Sequence, residues 1–119
     1  MIDIFAGLIK PSKGNIHIDG ELLSSKNTDH WYSKISYVPQ NIFLNDATFL
    51  ENIAIGQELK DIDYKKVEIA AKAAHIHDFI VSNQDKYNHF VGEKGARISG
   101  GQRQRIAIAR AFYRNADLI

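Results

Sequence analysis

The amino-acid sequence predicts an α/β chain in which short strands come first and helices follow. Three observations carry that reading. Gly14–Gly20 alternates apolar and polar residues between two glycines, the pattern turns helical after residue 40, and Ser99–Arg114 holds the strongest helical run of the chain. With 119 residues there is room for one small domain and none for two independent cores.

The elements follow in order. Met1–Ile9 places Ile2, Phe5 and Ile9 on one helical face with Leu8 beside them, and Pro11 lies just past the stop. No capping residue precedes this run, so the chain is expected to begin inside an element. Gly14–Gly20 reads as a strand with Ile16 and Ile18 on one side and His17 on the other. Glu21–Ser33 is polar and reads as loop or short turns. Lys34–Gln40 reads as a second strand ended by Pro39, which cannot donate to a sheet ladder. Thr48–Ala54 suits a short helix stopped near Gly56. Asp63–Ala74 suits a longer one, with Asp63 as N-cap and Val67, Ala70, Ala71 and Ala74 as its apolar stripe. Ile76–Val81 suits another short helix, Ser82–Arg97 a loop, and Ala116–Ile119 the start of a strand.

Composition narrows the function classes. Fifteen basic residues oppose fourteen acidic ones, which argues against a charge-driven binder of nucleic acid or membrane. There is no cysteine, which excludes disulfides, thiolate metal sites and cysteine nucleophiles. His75 and His77 are two apart and so point to different helix faces, which argues against zinc. The longest uncharged run, Ile35–Asn45, has eleven residues, well short of the roughly 20 of a spanning helix. No targeting segment is read at the N-terminus.

Ile98–Arg110 carries the chemistry. Ser99 precedes a helical run and Gln102 follows three positions later, the pattern of a capping box, which alone is a stability device worth about 1 kcal/mol. Gly100 and Gly101 in the first turn argue for more. Each glycine costs a helix about 1 kcal/mol relative to alanine. What they offer is bare N–H groups at the positive end of a long helix, a natural seat for phosphate.

The run Ile98-Ser-Gly-Gly-Gln-Arg-Gln-Arg-Ile-Ala-Ile-Ala-Arg110 resembles the signature motif of ATP-binding cassette (ABC) proteins, with Ile98 where leucine is usual. Other segments agree in order: Ser36–Gln40 resembles the Q-loop, Phe49–Ile53 the helix after it, and Gly92–Gly95 the X-loop of exporter-type cassettes. Gly14–Gly20 resembles the strand-turn after the first helix, and Ala116–Ile119 the start of the Walker B strand. The resemblance covers essentially the whole chain.

It implies a partial P-loop NTPase (ABC ATPase) fold. Residues 1–40 would be a remnant of the core through the Q-loop, 41–114 a mostly helical subdomain with the signature helix, and 115–119 the start of the Walker B strand. It also implies an ATPase, with ATP and Mg²⁺, that drives export across a membrane. Ser99, Gly100, Gly101 and Gln102 would touch the γ-phosphate of a nucleotide held by a second cassette in a head-to-tail dimer. Gln40 would contact Mg²⁺ and water, and Gly92, Glu93, Lys94 and Gly95 would couple to a transmembrane domain. Such a chain would sit on the cytoplasmic face of a membrane, tethered through that domain.

The pattern also has departures. A Walker A loop needs G-x-x-x-x-G-K-[ST], and no Gly-Lys dipeptide occurs. The Walker B acids and switch histidine of the family would lie past Ile119. No catalytic residue is therefore expected within these residues, and the chain alone is expected neither to hydrolyse ATP nor to fold with a sharp urea transition. Two other readings stay open. One is a soluble ABC ATPase of translation or DNA repair. The other is a nucleic-acid module on the face shared by Arg103, Arg110 and Arg114, opposed by the near-neutral charge. Arg103 and Arg105 themselves are read as outside the phosphate site, pairing with carboxylates.

Overall fold

The computed structural model describes Ile4, Ile9 and residues 11–24, 26–92 and 98–117. The helix expected over Met1–Ile9 lies outside these residues except for Ile4 and Ile9. The chain divides into two compact units, Met1–Tyr37 with Ala116–Ile119, and Val38–Asn115.

In the first unit, β1 (His17–Ile18) pairs antiparallel with β2 (Glu21–Leu22), His17 opposite Leu22 and Ile18 opposite Glu21. Asp19 and Gly20 between them both have positive φ, 51° and 85°, the conformation of a type I′ turn, which asks for Asp-Gly or Asn-Gly. The expected strand thus turns back on itself, and the first residues of the expected loop are its partner. A bond from Leu23 N–H to Ile16 C=O, 2.8 Å, extends the pairing.

The rest of that loop is also structured. Ser24 and Asn27 lock a turn through Ser24 N–H to Asn27 Oδ1, 2.8 Å, and Thr28 Oγ1 donates to Ser24 C=O at 2.7 Å. Helix α1 (Thr28–Lys34) follows, with Asp29 in its first turn and Lys34 in its last, both favourable to the helix dipole. None of its residues is buried, so no apolar stripe marks it in the sequence. The expected Lys34–Gln40 strand is corrected: Lys34 ends α1, and within 34–40 only Ile35 is a bridge residue. A strand needs ladder partners, and the backbone bond to this segment among the described residues, Asp117 N–H to Lys34 C=O at 2.7 Å, lies at its first residue.

The second unit is helical around one core. Helix α2 (Phe49–Ile53) is capped by Thr48, whose Oγ1 accepts the Glu51 N–H while the Glu51 carboxylate accepts the Thr48 N–H. Gly56, where this helix was expected to stop, has φ +87°. Helix α3 (Tyr64–Ala73) is capped by Asp63, and α4 (His77–Val81) follows a turn at His75. Helix α5 (Gly100–Tyr113) packs on α3 and α2. A 3₁₀ turn, Lys86–Asn88, and a bridge between Phe90 and Thr48 structure part of the expected Ser82–Arg97 loop.

Phe49, Ile53, Val67, Ala71, Ile76, Ile80, Ile106 and Ala109 form the centre of this core, each at most 1% exposed. Burying an aliphatic or aromatic side chain of this size contributes about 1.5–3 kcal/mol. Ala70 and Ala71 of α3 and Ala109 of α5 are buried in the core that the two helices share. Tyr113, at the end of α5, ties into the turn before α3: its hydroxyl accepts the Asp63 N–H at 3.3 Å and donates to Gln57 Oε1 at 2.5 Å.

Candidate phosphate site at the start of helix α5

Ser99 is the N-cap of α5, with φ −63° and ψ 158°. Its Oγ accepts the Gln102 N–H at 3.2 Å, and Gln102 Oε1 accepts the Ser99 N–H at 2.9 Å. The box therefore serves the third amide of the helix and leaves those of Gly100 and Gly101 at its open end. Ile98, 6% exposed, anchors the turn in the core.

The two glycines are not explained by the chain itself. Neither has a positive φ, and a Cβ on either would meet nothing within 4 Å. Alanine would fit at both positions and would favour the helix. Bare N–H groups and the helix dipole at such an end are suited to an anion.

Gln40, Asn41, Ile42, Gly100 and Arg103 line one cavity of about 220 Å³. The structure thus brings Gln40 to the start of α5. It also brings in Arg103, which the sequence reading left outside; the available signal was its position three residues after Gly100, on the same helical face. Arg105 turns elsewhere, donating through Nη1 to the His75 carbonyl at 3.1 Å. The expected carboxylate partner is replaced by a helix-end carbonyl, left free because His75 has φ 54°.

Arg110 was grouped in the sequence with Arg103 and Arg114 on one face, yet its guanidinium is spent inward. Nε donates to Asn52 C=O at 2.7 Å, Nη2 to Asn52 Oδ1 at 3.0 Å, and Nη1 to Phe43 C=O at 2.8 Å. Burial holds its pKa below the usual arginine value. That face is therefore no continuous basic stripe for a phosphodiester backbone.

Gly92 has φ +82°, a conformation that favours glycine, and follows Val91, whose N–H bonds Ala47 C=O at 3.0 Å. Glu93, Lys94 and Gly95 lie outside the described residues. Among the described residues no group of three or more His, Cys, Asp or Glu could hold a metal ion. His77 Nδ1 lies 2.8 Å from the Tyr87 hydroxyl, and burial pushes that hydroxyl's pKa up. Among the same residues, no helix is long and apolar enough to cross a membrane.

Comparison with known proteins agrees across the chain. Residues 1–119 match the family model described as "ABC transporter". The chain is 44% identical over 107 residues, 90% of its length, to an ATP-dependent lipid A-core flippase of Saccharophagus degradans. It is 38% identical over its whole length to ATP-binding cassette sub-family B member 5 of Homo sapiens. It spans 18% of the first relative and 9% of the second. Among solved structures it is similar to a bacterial Atm1-family ABC exporter with ATP bound, with TM-score 0.83 and 34% identity over 97% of this chain and 20% of that one. The fold is that of an ABC ATPase of exporter type, α/β in class.

Proposed function

Because the chain belongs to the ABC transporter family, we propose that it supplies the central part of an exporter-type cassette, in which ATP binding and hydrolysis drive a substrate out across a membrane. Residues 1–40 form the core through the Q-loop, 41–114 the helical subdomain, and 115–119 the start of the Walker B strand. The cassette works as a head-to-tail pair beside a transmembrane domain, on the cytoplasmic face of the membrane. Gly92, Glu93, Lys94 and Gly95 couple to that domain.

The observation that carries the reading is the start of α5: a cap closed by Ser99 and Gln102, two bare glycine amides left over, and Gln40 on the same cavity. Ser99, Gly100, Gly101 and Gln102 face the γ-phosphate of a nucleotide held by the second cassette. Preorganised N–H donors and the helix dipole stabilise negative charge there without carrying a proton, which is what phosphoryl transfer asks of its surroundings. Mg²⁺ supplies further charge neutralisation on the phosphates when bound. The neutral Gln40 carboxamide would be a fitting single oxygen contact for it.

The test uses the assembled transporter, this chain together with the rest of its cassette and its membrane partner. Ser99→Arg fills the tip and Gly101→Asp puts a negative charge on it, so both suppress ATP turnover. Wild-type hydrolysis by the purified variants would overturn the assignment.

A further inference from the structure

The cavity beside the phosphate site has two walls. One is the start of α5, with Gly100 and Arg103; the other is Gln40–Ile42. The backbone that continues the second wall is held by two side chains. Arg110, two helical turns along α5 from Arg103, takes the Phe43 carbonyl and both oxygens of Asn52. Asn52, on α2 and 0% exposed, accepts the Asn45 N–H on Oδ1 at 2.9 Å and donates through Nδ2 to the carbonyls of Asn45 and Thr48, both at 3.0 Å.

We propose that Arg110 and Asn52 are positioning residues for the ATPase reaction: they fix the Gln40–Asn45 segment against α5 and so set the distance between Gln40 and the phosphate-binding tip. The inference rests on the reading of the site given above. Apolar burial is non-directional and would let the segment slide. A planar guanidinium that bonds a carbonyl on one side and a carboxamide on the other fixes both distance and angle. The three oxygens that Arg110 bonds are all neutral, so the half-buried charge gains no ion pair from them to offset its partial desolvation. An apolar residue of similar volume would fill the site at less desolvation cost. Geometry is what the arginine adds.

The experiment measures kcat and KM for ATP, with melting temperature, in the assembled transporter. Arg110→Lys keeps the charge and loses the fork. Asn52→Asp keeps both acceptors and loses the bonds that Nδ2 donates to the Asn45, Ala47 and Thr48 carbonyls. Ile80→Val, a core change outside the network, serves as a stability control. The expected result is a kcat lowered about tenfold by Arg110→Lys with KM changed less than about twofold, because misplacing a catalytic wall costs rate more than binding. Asn52→Asp lowers kcat in the same sense, and Ile80→Val lowers the melting temperature with kcat per folded protein unchanged. If both network variants keep the wild-type kcat per folded protein, or lose it only as the control does, the pair is structural and the inference fails. Should Arg110→Lys not fold, Asn52→Asp decides by the same criterion. Ser99→Arg in the same assay separates the two readings. Wild-type turnover there sinks the phosphate site itself, whereas an inactive Ser99→Arg beside wild-type network variants sinks only the positioning role.

Discussion

Ser99 and Gln102 satisfy each other. The serine oxygen accepts the Gln102 N–H and the Gln102 side chain accepts the Ser99 N–H, so the cap is complete without any contribution from Gly100 or Gly101. Stability and function are therefore separable at the glycines. Gly101→Ala is expected to raise the melting temperature of the assembled transporter, by at most about 1 kcal/mol of stability, because the helix gains propensity and no neighbour is displaced. The same change is expected to lower ATP turnover in the assembled transporter about tenfold by crowding the donor proposed to face the phosphate. Melting followed by circular dichroism and an ATPase assay check the two halves; a variant both more stable and fully active would refute the division.

The 119-residue chain by itself is expected to release no phosphate from ATP above background. It contains no Gly-Lys dipeptide, hence no P-loop lysine to neutralise the β- and γ-phosphates. Turnover that follows the chain through successive purification steps would contradict this.

Acid is expected to loosen the start of α2. Glu51 accepts bonds from the Thr48 N–H and hydroxyl at 3.0 and 2.8 Å, which hold its pKa below the ordinary glutamate value of 4.5. The folded value lies under the unfolded one, so the contribution is fully present above the unfolded pKa and is lost as pH falls through the folded one. Glu51→Gln keeps an acceptor without titrating. Melting temperatures at neutral pH and at about pH 3 should therefore differ less in Glu51→Gln than in the wild type; equal differences would show that the cap does not contribute to the acid response.

Tyr113→Phe is expected to cost about 1 kcal/mol, since it strips a part-buried bond from the Asp63 N–H and leaves Gln57 without its donor. Hydrogen exchange localises the effect: the Asp63 amide should exchange faster in the variant, while the Gln102 amide, bonded to Ser99, should not change.

The helices of the second unit were legible because their signals are local. Asp63 caps α3 and Ser99 caps α5 at the residues expected, and Val67, Ala70, Ala71 and Ala74 are the buried stripe of α3. In the first unit β2 is two residues long, too short for an alternating pattern, and its available signal was the Asp19-Gly20 turn. Helix α1 buries nothing and so leaves no periodic trace. Arg103 was one helical turn from a residue already singled out, yet the cavity that makes it relevant takes its other wall from Gln40.

The family, the start of α5 and the helices around it were readable from the residues alone, because caps, glycines and 3.6-residue periodicity act within a few positions of one another. That Gln40, Gly100 and Arg103 meet, and that Arg110 bonds Asn52 and Phe43, came from the folded arrangement. Those relationships join residues far apart in the chain. They depend on where the backbone carbonyls of other segments come to lie once the core has closed, a demand that no local pattern of residues expresses.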